Sequence, residues 1–205
     1  MEIPPWLPTG TLRACRAELG RVESDNVLAI HCVDDKDAEA ERIRRGTVPA
    51  LHALVWRAPS EFMRAGLRLG LGTDSPAATD STDMLMEMRI GMLVQRAVNV
   101  GEFLDSATML EMATIGGARA LKLDDKIGSL EIGKLADIIA VDLSGSHQTP
   151  TTDPVSAVVN TCSGADILMT MVNGTALYEK NKWNVGVEVA RNIARIIELR
   201  GKLRL

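Results

Sequence analysis

Apolar residues in this chain come in short solid runs separated by amphipathic stretches, and the run lengths set the expected elements. Residues 26–33, NVLAIHCV, form a compact apolar run of strand length. Residues 47–51 are a weaker strand candidate, and 67–73, LRLGLGT, a third. Residues 11–19, 34–45 and 59–65 read as helices that stop at Gly20, Gly46 and Gly66, where glycine frees the backbone to leave the helix. Longer helices are predicted over 82–97 and 106–121, the second with Ser106 as its N-cap. Strands alternating with helices predict a parallel sheet covered by helices, and runs apolar at every position fit strands buried on both faces. The expected fold class is α/β.

The texture changes after Lys122. DDKIGSLEIGKLADIIAVDL, residues 124–143, holds short strand candidates broken by Gly-Ser and Gly-Lys turns. ILMTMVNGTALYEKNKW, residues 167–183, predicts a hairpin turning at Asn173-Gly174, a two-residue turn signal of high specificity. A last helix is predicted over 185–199, with its Ile/Leu stripe packed on its own domain. The expected division is an α/β unit over 1–123, a small β unit over 124–183 and a C-terminal helical segment over 184–205.

Composition narrows the function classes. Hydrophobic residues make up 46% of 205, enough for a sizeable core. The formal net charge of −4 argues against general affinity for nucleic acid, which needs a basic face. Cys15, Cys32 and Cys162 are scattered without a C-x-x-C pair, which fits reduced thiols in a cytoplasmic protein better than a disulfide frame or a structural zinc site. No run reaches the roughly 18 apolar residues of a membrane span. MEIPPWLPTG has neither the basic nor the apolar region of a secretion signal, and the expectation is no membrane partner.

Two motifs mislead. Gly128-x-x-x-x-Gly133-Lys134 has the glycine and lysine spacing of a phosphate loop, but Leu135 replaces the hydroxyl residue, and a helix precedes it where a strand should. A β-turn is the reading. Gly70-x-Gly72 begins a dinucleotide fingerprint, but Ser75 stands at the third glycine.

The residues with chemistry are His31 and Asp74, each at the end of an apolar run. In a parallel α/β fold the C-terminal strand ends share one face, where active sites lie. An imidazole and a carboxylate on one rim suit metal binding or proton transfer. A core histidine bonded to backbone and a helix-capping aspartate are the plain alternatives. His52, beyond the weak strand, is a candidate third ligand.

LGTD followed by DMLMEMR, then MATIGGARALKLDDKIGSLEIGKLADIIAVDL, DPVSAVVN and MVNG resembles the C-terminal half of the amidohydrolase superfamily. It is most similar to the 5-methylthioadenosine/S-adenosylhomocysteine deaminase and chlorohydrolase group. The resemblance runs from about residue 26 to 183. It implies a partial metal-dependent-hydrolase (β/α)8 TIM barrel, about strands six to eight, carrying part of a small β-sandwich. The implied activity is hydrolytic deamination of an aminopurine nucleoside or related ring, in which a metal-activated water attacks a ring carbon and ammonia leaves. Asp74 matches the aspartate after the eighth barrel strand, which binds the metal and shuttles a proton. His31 matches the histidine after the sixth strand, which contacts the attacked centre. The implied cofactor is one divalent metal: zinc, or iron or manganese.

The family's His-x-His pair after strand one, and the histidine and glutamate after strand five, have no counterpart in these 205 residues. The chain aligns from about the fifth helix onward. The loop around Trp56 is shorter than the family's, and the loop around Ala78 carries Ala, Thr and Asp where the family has Ser and Asn. One carboxylate cannot retain a zinc, for which three protein ligands are usual, so the expectation is that this chain alone does not keep the metal. The expected partners are a small purine-type substrate, and either a second copy or a complementary N-terminal half. The competing reading is a non-catalytic scaffold or partner domain.

Overall fold

The computed structural model describes residues 29–30, 50–51, 63, 68–74, 80–98, 103–185 and 189–203. The helices expected over 11–19 and 34–45, and His31, His52, Cys15 and Cys32, lie outside the described residues.

Three short strands make a parallel sheet: β1, Ala29–Ile30; β2, Ala50–Leu51; and β3, Leu69–Gly70. Their order is β1-β2-β3, with Ala29 opposite Ala50 and Leu51 opposite Gly70. This is the parallel arrangement that the apolar runs predict. In β3 and just beyond it, Leu69 and Leu71 are buried, and they join a core with Leu85, Met88, Met92, Met109 and Met112.

Helix α1, Met84–Val98, supplies Leu85, Met88 and Met92 to that core. Asp83 starts it. Its Oδ1 accepts from the Leu85 and Met86 amides at 2.9 and 3.3 Å, satisfying donors that the first turn leaves free. Helix α2, Ser106–Glu111, runs into a π-helical turn, Met112–Gly116, and then α3, Gly117–Ala120. The cap of α2 is Asp105, not Ser106: Asp105 has extended backbone and accepts from the Thr108 amide at 2.8 Å. The π turn meets the sheet directly, since the Leu71 amide donates to the Met112 carbonyl at 3.0 Å. Gly116 allows that approach, because a Cβ there would lie 2.8 Å from the Leu69 carbonyl oxygen.

Residues 124–143 contain one strand, β4, Ile138–Val141, where the sequence suggests several short ones. The GSLEIGK stretch is turn and coil, as expected for a false phosphate loop. Lys134 pairs with Glu131 at 3.1 Å and donates to Ser129 at 2.5 Å. Helix α4, Pro154–Asn160, follows, capped by Asp153. Strands β5, Ile167–Val172, β6, Thr175–Glu179, and β7, Lys182–Trp183, complete an antiparallel sheet of order β4-β5-β6-β7. The β5–β6 turn falls at Asn173-Gly174, with φ of 48° and 76°, the left-handed pair that this dipeptide favours.

The inner side of this sheet is not a separate core. Val141, Leu143 and Ile167 pack on the cluster that holds Leu69 and Met88, together with Val159 and Cys162. Arg89 of α1 donates from Nε to the Val159 carbonyl at 3.2 Å and from its terminal nitrogen to the Cys162 carbonyl.

The last helix, α5, spans Val189–Leu203, four residues later than predicted. Its expected packing is not observed: residues 191–202 are all exposed, Ile193, Ile196 and Ile197 among them. Among the described residues no helix is long and apolar enough to cross a membrane.

Candidate functional site

Asp74 stands four residues past the last residue of β3, after Leu71, Gly72 and Thr73. Burial of Leu69 and Leu71 anchors the strand, and Asp74 emerges exposed at its C-terminal end. Its φ is 57°, in the left-handed region that aspartate tolerates better than most residues. The Thr73 hydroxyl donates to the Asp74 carbonyl oxygen at 3.3 Å.

Behind Asp74 lies a residue that the sequence reading passed over. Glu87, in the first turn of α1, is 4% exposed, and its Oε1 has no hydrogen-bond partner. Desolvation pushes its carboxyl above the ordinary value, and the negative charge of Asp74 adds to the shift. Glu87, Gly91 and Gln95 form one buried row at four-residue spacing, beside the apolar row of the same helix. Nothing local in the sequence marks it, because the burial of Gly91 and Gln95 beside it is a tertiary property. At Gly91 the Met109 methyl lies 2.8 Å from where a Cβ would sit.

His31 and His52 immediately follow, in the chain, the last residues of β1 and β2. Their side chains lie outside the described residues. The parallel register puts the strand ends at Ile30, Leu51 and Gly70 on one edge of the sheet. Among the described residues no group of three or more His, Cys, Asp or Glu side chains is placed to hold a metal ion. Asp74 with Glu87 buried behind it is not a donor set for a divalent cation, so the described residues by themselves do not fit one.

A second constellation has the residue types of a catalytic triad without its order. Asp166 accepts from Ser163 Oγ at 3.1 Å and lies 3.1 Å from His147 Nε2. A triad needs the histidine between nucleophile and carboxylate; here the carboxylate is central. Asp166 also takes the Ser163 amide at 2.7 Å, the main reason its carboxyl lies below its ordinary value. The group locks a tight turn before β5.

A cavity of about 130 Å³ lies at the start of β3, lined by Arg68, Thr108, Glu111 and Arg119 among others. Arg119 is neutralised by Glu111 at 2.6 Å.

The chain is similar to known proteins along most of its length. It is 31% identical over 174 residues to the 5-methylthioadenosine/S-adenosylhomocysteine deaminase of Caldanaerobacter subterraneus, covering 80% of this chain and 40% of that protein. It is 34% identical over 162 residues to the S-triazine hydrolase of Gordonia rubripertincta, covering 75% of this chain and 34% of the relative. The chain therefore spans well under half the length of these relatives. Its fold superposes on the crystal structure of an adenosine deaminase from Xanthomonas campestris with bound zinc at a TM-score of 0.84 and 28% identity, covering 94% of this chain and 45% of that one. The amidohydrolase family as a whole matches residues 26–177, and the chain belongs to that family.

Proposed function

We propose that this chain is the C-terminal part of a metal-dependent hydrolase that removes ammonia from an aminopurine nucleoside or a related ring. The observation that carries the reading is the placement of Asp74, an exposed carboxylate at the C-terminal edge of a parallel sheet, inside the family match. Active sites of parallel α/β folds lie at that edge. The deaminase and triazine hydrolase relatives support hydrolysis at a ring carbon. The zinc in the adenosine deaminase structure supports a divalent metal in the family; iron and manganese are the alternatives that the resemblance leaves open. In this reading the three parallel strands belong to a (β/α)8 barrel of about twice this length. Asp74 is one metal ligand and proton carrier, and His31 contacts the attacked centre. The remaining ligands and the principal acid come from a complementary N-terminal half, so the chain alone neither holds the metal nor turns over. A cytoplasmic location fits the free, buried thiol of Cys162.

The second reading, a non-catalytic partner domain, is favoured by one observation: the described residues hold no three-donor cluster. Co-expression separates the two. The chain would be produced with the N-terminal portion of the Caldanaerobacter enzyme, and ammonia release from adenosine and 5-methylthioadenosine measured, with Asp74→Asn as control. Release abolished by Asp74→Asn supports the enzyme. Fragments that co-purify and bind zinc yet release no ammonia from either substrate would sink the deaminase reading.

A further inference from the structure

Glu87 carries an acceptor that the described residues do not use. Its Oε1 is the only buried side-chain oxygen or nitrogen among them with no hydrogen-bond partner, and the residue is 4% exposed. Gln148, exposed to the same 4%, shows the ordinary case: its Oε1 accepts from the Gly145 amide at 2.7 Å, and its Nε2 donates to the Asp142 carbonyl at 2.9 Å. A buried oxygen without a donor costs its full desolvation, and native folds leave few such groups.

Glu87 also stands where a further strand would end. It lies in the first turn of α1, and the charge of Asp74, beyond the C-terminal end of β3, is felt at its carboxyl. Among the described strands β3 pairs with β2 alone, and the order β1-β2-β3 follows the chain. The position beside β3, opposite β2, is the next in that series. A parallel strand placed there ends on the same edge of the sheet as Asp74. The matched stretch covers 40% of the Caldanaerobacter deaminase and 34% of the Gordonia triazine hydrolase, so most of each relative lies outside it.

We propose that Glu87 is the acceptor for a complementary N-terminal portion: its Oε1 takes an N–H donor from the strand that pairs with β3 opposite β2. This rests on the reading of the chain as the C-terminal part of the family's barrel. Glu87 touches no reacting atom in this scheme. It is a positioning residue, which ties the first turn of α1, and with it the Asp74 edge, to the incoming strand.

Such an acceptor gives opposite signs in the two states. In the chain alone the carboxylate is buried without a partner, so an apolar residue of similar length is tolerated or stabilising. In the joined protein the same change leaves the incoming donor unpaired. A side chain that only fills space moves both states the same way.

The test titrates the full chain against the tagged N-terminal portion of the Caldanaerobacter enzyme by biolayer interferometry, with wild type, Glu87→Met and Glu87→Gln. Urea unfolding of each chain alone accompanies it. Glu87→Met is expected to bind at least about tenfold more weakly, as for loss of a bond to a charged group, with an unfolding midpoint that is unchanged or higher. Glu87→Gln keeps an acceptor oxygen and is expected to bind with intermediate affinity. Equal affinity of wild type and Glu87→Met overturns the proposal, and so does a loss of binding matched by a loss of stability in the chain alone. Absence of binding by the wild type overturns it as well. A dimer of the chain by itself that Glu87→Met dissolves also does so, because the donor then belongs to a second copy. Binding is read without turnover, so the two readings fail separately. Joining that depends on Glu87, without ammonia release from adenosine or 5-methylthioadenosine, supports this contact and sinks the deaminase reading. Ammonia release with joining that ignores Glu87 does the reverse.

Discussion

Asp83 holds two segments 81 residues apart in one grip. Its Oδ1 caps α1 through the Leu85 and Met86 amides, and its Oδ2 accepts from the Gly164 amide at 2.8 Å. The carboxylate that starts the helix behind Asp74 therefore also pins the turn leading into β5. Replacing it removes a cap worth roughly 1 kcal/mol and a charge-assisted bond of similar size. Asp83→Ala is expected to lose about 2 kcal/mol in urea unfolding, and Asp83→Asn, which keeps one acceptor, about half of that. An unfolding midpoint unchanged in Asp83→Ala would show that the tie contributes nothing.

Gly116 and Gly117 are neighbours with opposite expectations. A Cβ at Gly116 meets two backbone oxygens, Leu69 at 2.8 Å and Glu111 at 2.9 Å, and neither can swing away. Gly116→Ala is expected to cost roughly 1–3 kcal/mol as an overpacked contact. At Gly117 the nearest atom is the Met112 oxygen at 3.4 Å, an ordinary contact. Gly117→Ala should be neutral or gain up to about 1 kcal/mol from helix propensity. Thermal unfolding of the pair decides; equal effects would contradict the close approach of the π turn to β3.

Asp105 gives a pH signature. The Thr108 amide, followed by the Thr108 side chain, holds its carboxyl below the ordinary 3.8. A depressed folded value means that the unfolded chain binds the proton more readily. The stabilisation is therefore complete above 3.8 and is lost as pH falls through the folded value. Asp105→Ala should cost about 1 kcal/mol at neutral pH, and its deficit against wild type should shrink in acid. A deficit constant from pH 7 down to strong acid would mean that the charge plays no part in the cap.

Glu87 runs the other way. Its carboxyl lies above the ordinary 4.5, first from desolvation and then from Asp74. Its contribution is full below 4.5 and is lost as pH rises through the folded value. Glu87→Gln keeps the shape and removes the charge. It is expected to be more stable than wild type at neutral pH by up to about 1 kcal/mol, with no gain in acid. A loss of stability at pH 7 would show that the ionised carboxylate has a partner that the Gln cannot replace.

The isolated chain is expected to retain no stoichiometric divalent metal, since one exposed carboxylate does not hold zinc through dialysis. Elemental analysis of dialysed protein checks this. Equimolar zinc that disappears in Asp74→Ala would refute it.

Local patterns carried much of this fold. Period and run length suffice for the parallel strands around Leu51 and Leu69, and the Asn173-Gly174 turn follows from the backbone freedom of those two residues alone. That Asp74 follows a strand was legible, because the apolar run before it is a local pattern. The choice of Asp105 over Ser106 as cap was not, since both side chains can accept the same bond and only the extended backbone at Asp105 decides. The π turn meets β3 where Leu71 reaches Met112, the grip of Asp83 on Gly164 spans 81 residues, and the burial of Glu87 is set by tertiary packing around α1. None of these contacts has a local signature. The last helix marks the division: its 3.6-residue period determines that it is a helix with an apolar stripe, but a period is a property of one segment, and what covers the stripe depends on which surfaces meet in space.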